Sequence, residues 1–320
     1  MRELKNKLTA GKNTKNTQSR KGKSFGYQIL GFGSGTGLNT ISVDYLVIAG
    51  GGGGGKRHGG GGGAGGYRTS FPGGTKIDIE SGIAITIGGA GVHPGSRPTG
   101  GAAKGGDSII DGHITSTGGG AGVGYGAPTG SYPAYMDGGS GGGGGHGGPQ
   151  ATGGSGNTPP TNPSQGNNGG NAPGLHAGGG GGSGGAGNPA PGGGGGPGGS
   201  STSSSITGSP VAKAGGGGGG GFNAPGGGSG GGGAQSGQGG GSNSSSAPAN
   251  SGSGAGGTGG GTSNPEDEGT PGNGGSGFVV IRVPAAEDPG TLSIAPGSNS
   301  IATDGGDKVC TFVATGTLSF

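Results

Sequence analysis

Unbroken glycine runs set the terms for this chain: Gly50–Gly55, Gly59–Gly63, Gly141–Gly145, Gly192–Gly196 and Gly215–Gly221. Glycine fills 106 of 320 positions, and with no side chain to bury it cannot build an ordinary apolar core. Whatever orders these runs must act through the backbone. Collagen is excluded, because its glycine recurs at every third position among abundant proline. Here the glycines are consecutive and proline is only 21 of 320. Two classes remain: a flexible glycine/serine linker, and a bundle of extended threefold helices, the glycine form of polyproline II, called polyglycine II. Such a helix has three residues per turn and no internal hydrogen bonds, so its N–H and C=O groups point at its neighbours. Rods without side chains approach closely enough to satisfy one another, as burial of backbone polar groups demands.

Energetics requires a frame. Ordering backbone costs ~1–2 kcal/mol per residue, and a net hydrogen bond returns only ~0.5–1.5 kcal/mol. Free glycine runs therefore stay disordered unless something fixes their ends in register. The sequence supplies candidates. Ile41-Ser42-Val43-Asp44-Tyr45-Leu46-Val47-Ile48-Ala49 runs directly into Gly50 and reads as a strand buried on both faces. Thr75–Ile87 alternates apolar and polar residues around Ser81-Gly82, which predicts a hairpin with one apolar face. Ser108–Thr115, turning at Asp111-Gly112, predicts a second, shorter unit. Phe278-Val279-Val280-Ile281-Arg282-Val283, closed by Pro284, is expected to pair with Val43–Ala49.

The expected organisation has three parts: a basic tail over 1–40, a mainly β frame clamping a polyglycine II bundle over 41–284, and a small C-terminal β module over 285–320. The glycine-rich excursion covers 118–277, and its loop-closure cost grows only logarithmically with length. Within it, glycine runs alternate with polar patches rich in Pro, Ser and Asn, as a folded-back bundle of rods requires.

Charge is uneven. Residues 1–25 carry eight basic residues, among them Arg2, Lys5, Lys7, Lys12, Arg20, Lys21 and Lys23, against Glu3 alone. Elsewhere nine basic residues face thirteen acidic ones, so the overall +3 belongs to the tail. Together with Phe25 and Tyr27, these basic residues are the candidate anchor to a partner. The tail lacks aromatics interleaved among its basic residues, so nucleic-acid binding is not expected. No apolar run resembles a signal peptide or a membrane span, which predicts synthesis in a cytoplasm and no membrane insertion.

Chemistry is thinly signalled. Gly50–Gly55 precedes Lys56, but Arg57-His58 follows where a phosphate loop needs Ser or Thr and a helix. His58, His93, His113, His146 and His176 are far apart in the sequence, and each reads as an exposed turn residue; for His146 the alternative, one ligand per subunit to a metal on an oligomer axis, is left open without being assigned. Cys310 reads as an inert buried thiol. No catalytic residue, cofactor or metal site is assigned. The candidate contact residues are Tyr125, Tyr132 and Tyr135, clustered in a Gly/Pro-rich stretch with no core to fill. They serve either a receptor or the packing of adjacent rods.

Asp44–Ala49 with its glycine run, then Gly65-Gly66-Tyr67-Arg68-Thr69, and finally Gly274-Gly275-Ser276-Gly277-Phe278-Val279-Val280-Ile281-Arg282 resemble the glycine-rich domain of tailed-phage virion proteins. The likeness is strongest to those of marine phages infecting cyanobacteria. Gly306-Asp307-Lys308-Val309-Cys310-Thr311-Phe312 is similar to short modules appended to such proteins. The architecture is also similar to the polyglycine-helix adhesins at the tips of T-even-type tail fibres, where turns at one end of the bundle touch the host. The resemblance implies a non-enzymatic virion protein, a tail fibre or fibre-tip adhesin, docked to other virion proteins by its tail. Its receptor would be a host glycan or outer-membrane protein. It allows a homotrimer or a monomeric cap. The alternative is a capsid or tail decoration protein with a purely structural role.

Overall fold

The computed structural model describes residues 40–93, 102–125, 132–146, 151–192, 194–221, 227, 243–260 and 269–320. The tail residues named above, 2 to 27, lie outside them. The described residues are mainly β with almost no helix. In chain order the strands are β1 (Thr40–Ile48), β2 (Tyr67–Thr69), β3 (Ile77–Glu80), β4 (Ile83–Thr86), β5 (Ser108–Ile110), β6 (Ile114–Ser116), β7 (Thr202–Ser204), β8 (Val211–Lys213), β9 (Phe278–Val283), β10 (Ser293–Ala295), β11 (Ser300–Asp304), β12 (Asp307–Phe312) and β13 (Gly316–Ser319). A single-turn helix, α1 (Tyr132–Met136), lies between β6 and β7.

The β1–β9 ladder forms as the sequence predicts. It is antiparallel, from Asp44 opposite Arg282 to Ile48 opposite Phe278. From Tyr45 onward β1 is buried on both faces, which explains its unbroken apolar run. The ladder lies in a six-stranded sheet ordered β11-β12-β9-β1-β2, with β3 also on β1. A second sheet runs β10-β13-β4-β5-β6, and β7–β8 is a separate hairpin.

One expectation changes. β3 and β4 are joined at Gly82, whose φ of +85° suits glycine, but they do not form a hairpin: β3 pairs with β1 and β4 with β13 and β5. Ile79, Ile83 and Ile85 all enter the core between the two sheets. Alternation identifies an apolar face, and two facing sheets satisfy it as well as one hairpin does. The strands of 285–320 pair with one another, β10 with β13 and β11 with β12, and also extend both sheets. β12 pairs with β9, and β13 pairs with β4. The β5–β6 hairpin forms as predicted.

The core between the sheets gathers Val43, Val47, Ile79, Ile85, Ile110, Val279, Ile281, Phe312 and Leu318. On the other face of the first sheet, Leu46, Ile48, Phe278, Val280 and Val309 pack with Ile206 and two alanines, Ala64 and Ala214. Arg282 pins the open end of this face: Nε donates to Asp307 Oδ2 at 2.9 Å, and Nη1 donates to Asp304 Oδ2 at 2.8 Å and to the Ile206 carbonyl at 3.0 Å.

Beyond the sheets the glycine segments bond to one another in a pattern that repeats every three residues. Gly50 and Gly53 donate to Gly106 and Ala103; Gly51 and Gly54 donate to Gly275 and Gly272; Gly52 and Gly55 donate to Gly63 and Gly60. The carbonyls of Gly50 and Gly53 accept from Gly119 and Gly122, and those of Gly52 and Gly55 accept from Ala255 and Thr258. Gly51 accepts from Gly91. Residues 59–66 repeat the arrangement: Gly59, Gly62 and Gly65 donate to Thr258, Ala255 and Gly252, while Gly60, Gly63 and Gly66 donate to Val123, Gly120 and Thr117. These segments are buried, so partners in every direction meet the demand that buried N–H and C=O groups be bonded.

Glycine is required here by approach rather than by conformation. A Cβ on Gly52 would stand 2.1 Å from the Gly120 carbonyl oxygen, and one on Gly217 would stand 1.9 Å from that of Ala255. No rotamer choice relieves a contact with backbone.

Candidate functional site

The rods carry the chain away from the sheets and turn back at their far ends. The first of these turns is Lys56-Arg57-His58, between the rods 50–55 and 59–63. Arg57 and His58 have φ of 53° and 48°, a left-handed conformation that costs side-chain-bearing residues about 1–3 kcal/mol each. Surrounding bonds hold it. Arg57 N donates to Thr258 Oγ1 at 3.0 Å, the Arg57 carbonyl accepts from Tyr125 N at 2.9 Å, and the His58 carbonyl accepts from His146 N at 3.1 Å.

Those backbone bonds bring rings together. Tyr125 stacks on His146 with centroids 5.1 Å apart and planes 21° from parallel. His146 meets His58 at 5.4 Å, tilted by 59°. The Arg57 guanidinium lies 5.2 Å from the Tyr125 centroid, within cation–π range. His176 is close enough to act electrostatically on both other histidines. Burial, then the charges of His146, His176 and Arg57, push His58 down from 6.5 to about 4. Burial and His176 also lower His146. His58 and His146 are therefore neutral at pH 7, and with Tyr125 they present a half-buried aromatic surface beside the Arg57 guanidinium.

The histidines correct the sequence reading. His58, His146 and His176 are each half-buried rather than exposed, and they lie together. Among the described residues, no group of three His, Cys, Asp or Glu is placed to hold a metal ion. The signal that could have found them is positional: each flanks a glycine run, so rods of matching length deliver all three to one level. Gly260 belongs to the same end, since a Cβ there would strike the His58 ring.

Tyr125 and Tyr135 stand at different levels along the glycine segments. Tyr125 belongs to the far end and is 44 % exposed. Tyr135, 51 % exposed, lies on α1 along the side of the bundle, where its carbonyl accepts from Ala121, four residues before Tyr125. Met136 turns inward from α1 onto Val123. Tyr132 starts that helix; its side chain lies outside the description. Leu175, beside His176, is exposed as well.

Cys310 is fully buried opposite Ile301, and burial pushes its thiol up to about 12. Among the described residues no helix is long and apolar enough to cross a membrane. No family model matches the chain, and no curated protein or solved structure matches it.

Proposed function

We propose that the chain is a non-enzymatic structural protein of a tailed-phage virion, a tail fibre or fibre-tip adhesin. Its far end meets the host surface, and its basic tail docks onto the particle. In this reading the rods are polyglycine II helices. The observation that carries it is the period-three hydrogen-bond lattice growing directly out of the β1–β9 ladder. A threefold helix aims successive N–H groups about 120° apart, so every third donor should meet the same neighbour. The donors of 50–55 and 59–66 do so. Glycine adopts φ above zero as readily as below, yet no glycine of 50–55, 59–63, 141–145 or 215–221 has positive φ. A uniform left-handed rod requires that.

Such a lattice is stiff and chemically plain, which suits the display of turns. The turns it displays carry Tyr125, Arg57, His58, His146, Lys56 and Leu175, a combination of aromatic, cationic and apolar groups typical of contact surfaces. The family resemblance supplies the setting, a virion released from a host cell.

The test is adsorption. Purified protein should bind host cells and block adsorption of the phage that carries it; Tyr125→Ala should weaken both effects, and deletion of 1–25 should remove the protein from particles. Binding to no host cell, with normal incorporation into particles, would leave the decoration role instead. Amide exchange tests the rods separately: residues 50–66 and 177–182 should be protected as strongly as β1.

A further inference from the structure

Strand β2 and the loop 157–165 face each other across a groove of about 530 Å³, a size suited to a small organic ligand. Tyr45, Tyr67, Arg68 and Thr75 line it from the frame, and Asn162 and Ser164 line it from the loop.

The loop wall is built rigidly. Asn157 Oδ1 accepts from Thr161 N at 2.9 Å, from Thr161 Oγ1 at 3.0 Å and from Gln165 N at 3.2 Å. Gln165 is 1 % exposed, and its whole amide is engaged: Nε2 donates to the Pro159 carbonyl at 3.0 Å and to Thr117 Oγ1 at 3.3 Å, while Oε1 accepts from Thr117 N at 2.9 Å. Two side chains thus lock the loop against the frame before any ligand arrives, which lowers the ordering cost of binding.

Arg68 is the charged residue among those that line the groove, and no carboxylate faces it there. Its Nη1 donates to the Thr115 carbonyl at 3.2 Å, which uses one of the five N–H donors of a guanidinium. The Thr75 hydroxyl and the Asn162 amide make no hydrogen bond among the described residues, and they stand on opposite walls. The half-buried Tyr67, one guanidinium fork and facing neutral hydrogen-bonding groups match the chemistry of a sugar ring that carries an anion, while Tyr45 is a core residue that closes the groove's floor. Tyrosine takes the C–H face of a pyranose, the fork takes an oxyanion, and hydroxyl or amide groups take the ring hydroxyls.

We infer that this groove binds a saccharide unit bearing a carboxylate or phosphate, held through Arg68. The inference does not depend on the adhesin reading, because the groove is built by β1, β2, residues 74–75, the 157–165 loop, Ser183 and Thr202 of β7, and not by the far-end turns. The carboxylate and phosphate sources are separated by experiment.

Calorimetric titration of the full chain with methyl glucuronide, glucose 6-phosphate and methyl glucoside tests it. At least one anionic sugar should bind about ten-fold more tightly than the neutral one, as a charge-assisted hydrogen bond allows. The tighter of the two names the source. Arg68→Gln should bring the anionic sugars down to the neutral affinity. Asn162→Ala removes a side chain that makes no hydrogen bond among the described residues, so it should weaken all of them without lowering the thermal midpoint, and a loss through misfolding is recognised. Arg57→Gln, at the far end, should change nothing. The inference fails if no sugar binds at millimolar concentration, or if Arg68→Gln leaves anionic binding intact. It fails also if Arg57→Gln abolishes binding.

Discussion

Ile48 and Phe278 face each other on the last rung of the β1–β9 ladder, and three residues further along the same two segments Gly51 donates to the Gly275 carbonyl. Sheet pairing passes into rod pairing without a break. The apolar ladder therefore sets the register of the glycine lattice, which on its own has no side chain to distinguish one alignment from the next.

That coupling makes substitutions in the rods sharply position-dependent. Gly52→Ala places a Cβ 2.1 Å from the Gly120 oxygen and should cost about 3 kcal/mol or more. Gly89→Ala meets nothing within 4 Å and should stay within about 0.5 kcal/mol of wild type. Thermal unfolding of the pair checks this; equal midpoints would mean that the rods do not pack as described.

Arg282 should dominate the stability of the sheet's open end. It is 11 % exposed on its side chain and joins two carboxylates and the Ile206 carbonyl. Arg282→Met leaves Asp304 and Asp307 facing each other and should cost about 2–4 kcal/mol, read from urea unfolding. Its hydrogen bond holds the Asp307 carboxyl below the usual 3.8. The stability this adds is present above pH 3.8 and fades as pH falls through the lower folded value.

The histidine end titrates in a different window. Between pH 6.5 and about 4 the folded protein leaves His58 neutral while the unfolded chain binds its proton. Stability should thus rise with pH across that interval and level off above it. The Arg57, His146 and His176 charges oppose protonation there, so acid should loosen this end before it reaches the sheets. His58→Gln should flatten the slope between pH 6.5 and 4 while leaving the lower-pH loss intact. Melting curves in a buffer series distinguish the two.

Cys310 should be silent to thiol reagents in the folded protein. With its pKa pushed up to about 12 and no surface exposed, it offers almost no thiolate at pH 8. Labelling by a disulfide reagent should appear only on unfolding, and rapid labelling under native conditions would contradict the placement of β12.

The clamp was legible because burial on both faces writes itself as an unbroken apolar run, in Tyr45–Ile48 and again in Phe278–Ile281. The partners of β3 and β4 were not, since Ile79, Ile83 and Ile85 declare an inward face and say nothing of which edge each strand bonds. The joining of Tyr125, His58, His146 and His176 was hidden for another reason. Their proximity is set by how many residues separate each from the sheet, a count that acquires meaning only once rods of a fixed rise stand side by side.

A lattice whose donors repeat every three residues also restricts how such a molecule can change length. One glycine inserted into a rod would rotate every later N–H by a third of a revolution toward the wrong neighbour. In the proposed polyglycine II geometry three would restore each direction and lift the turn above by about 9 Å. Growth and shortening are thus quantised, and lineages of this chain should differ by whole triplets within the rods while the turns drift freely.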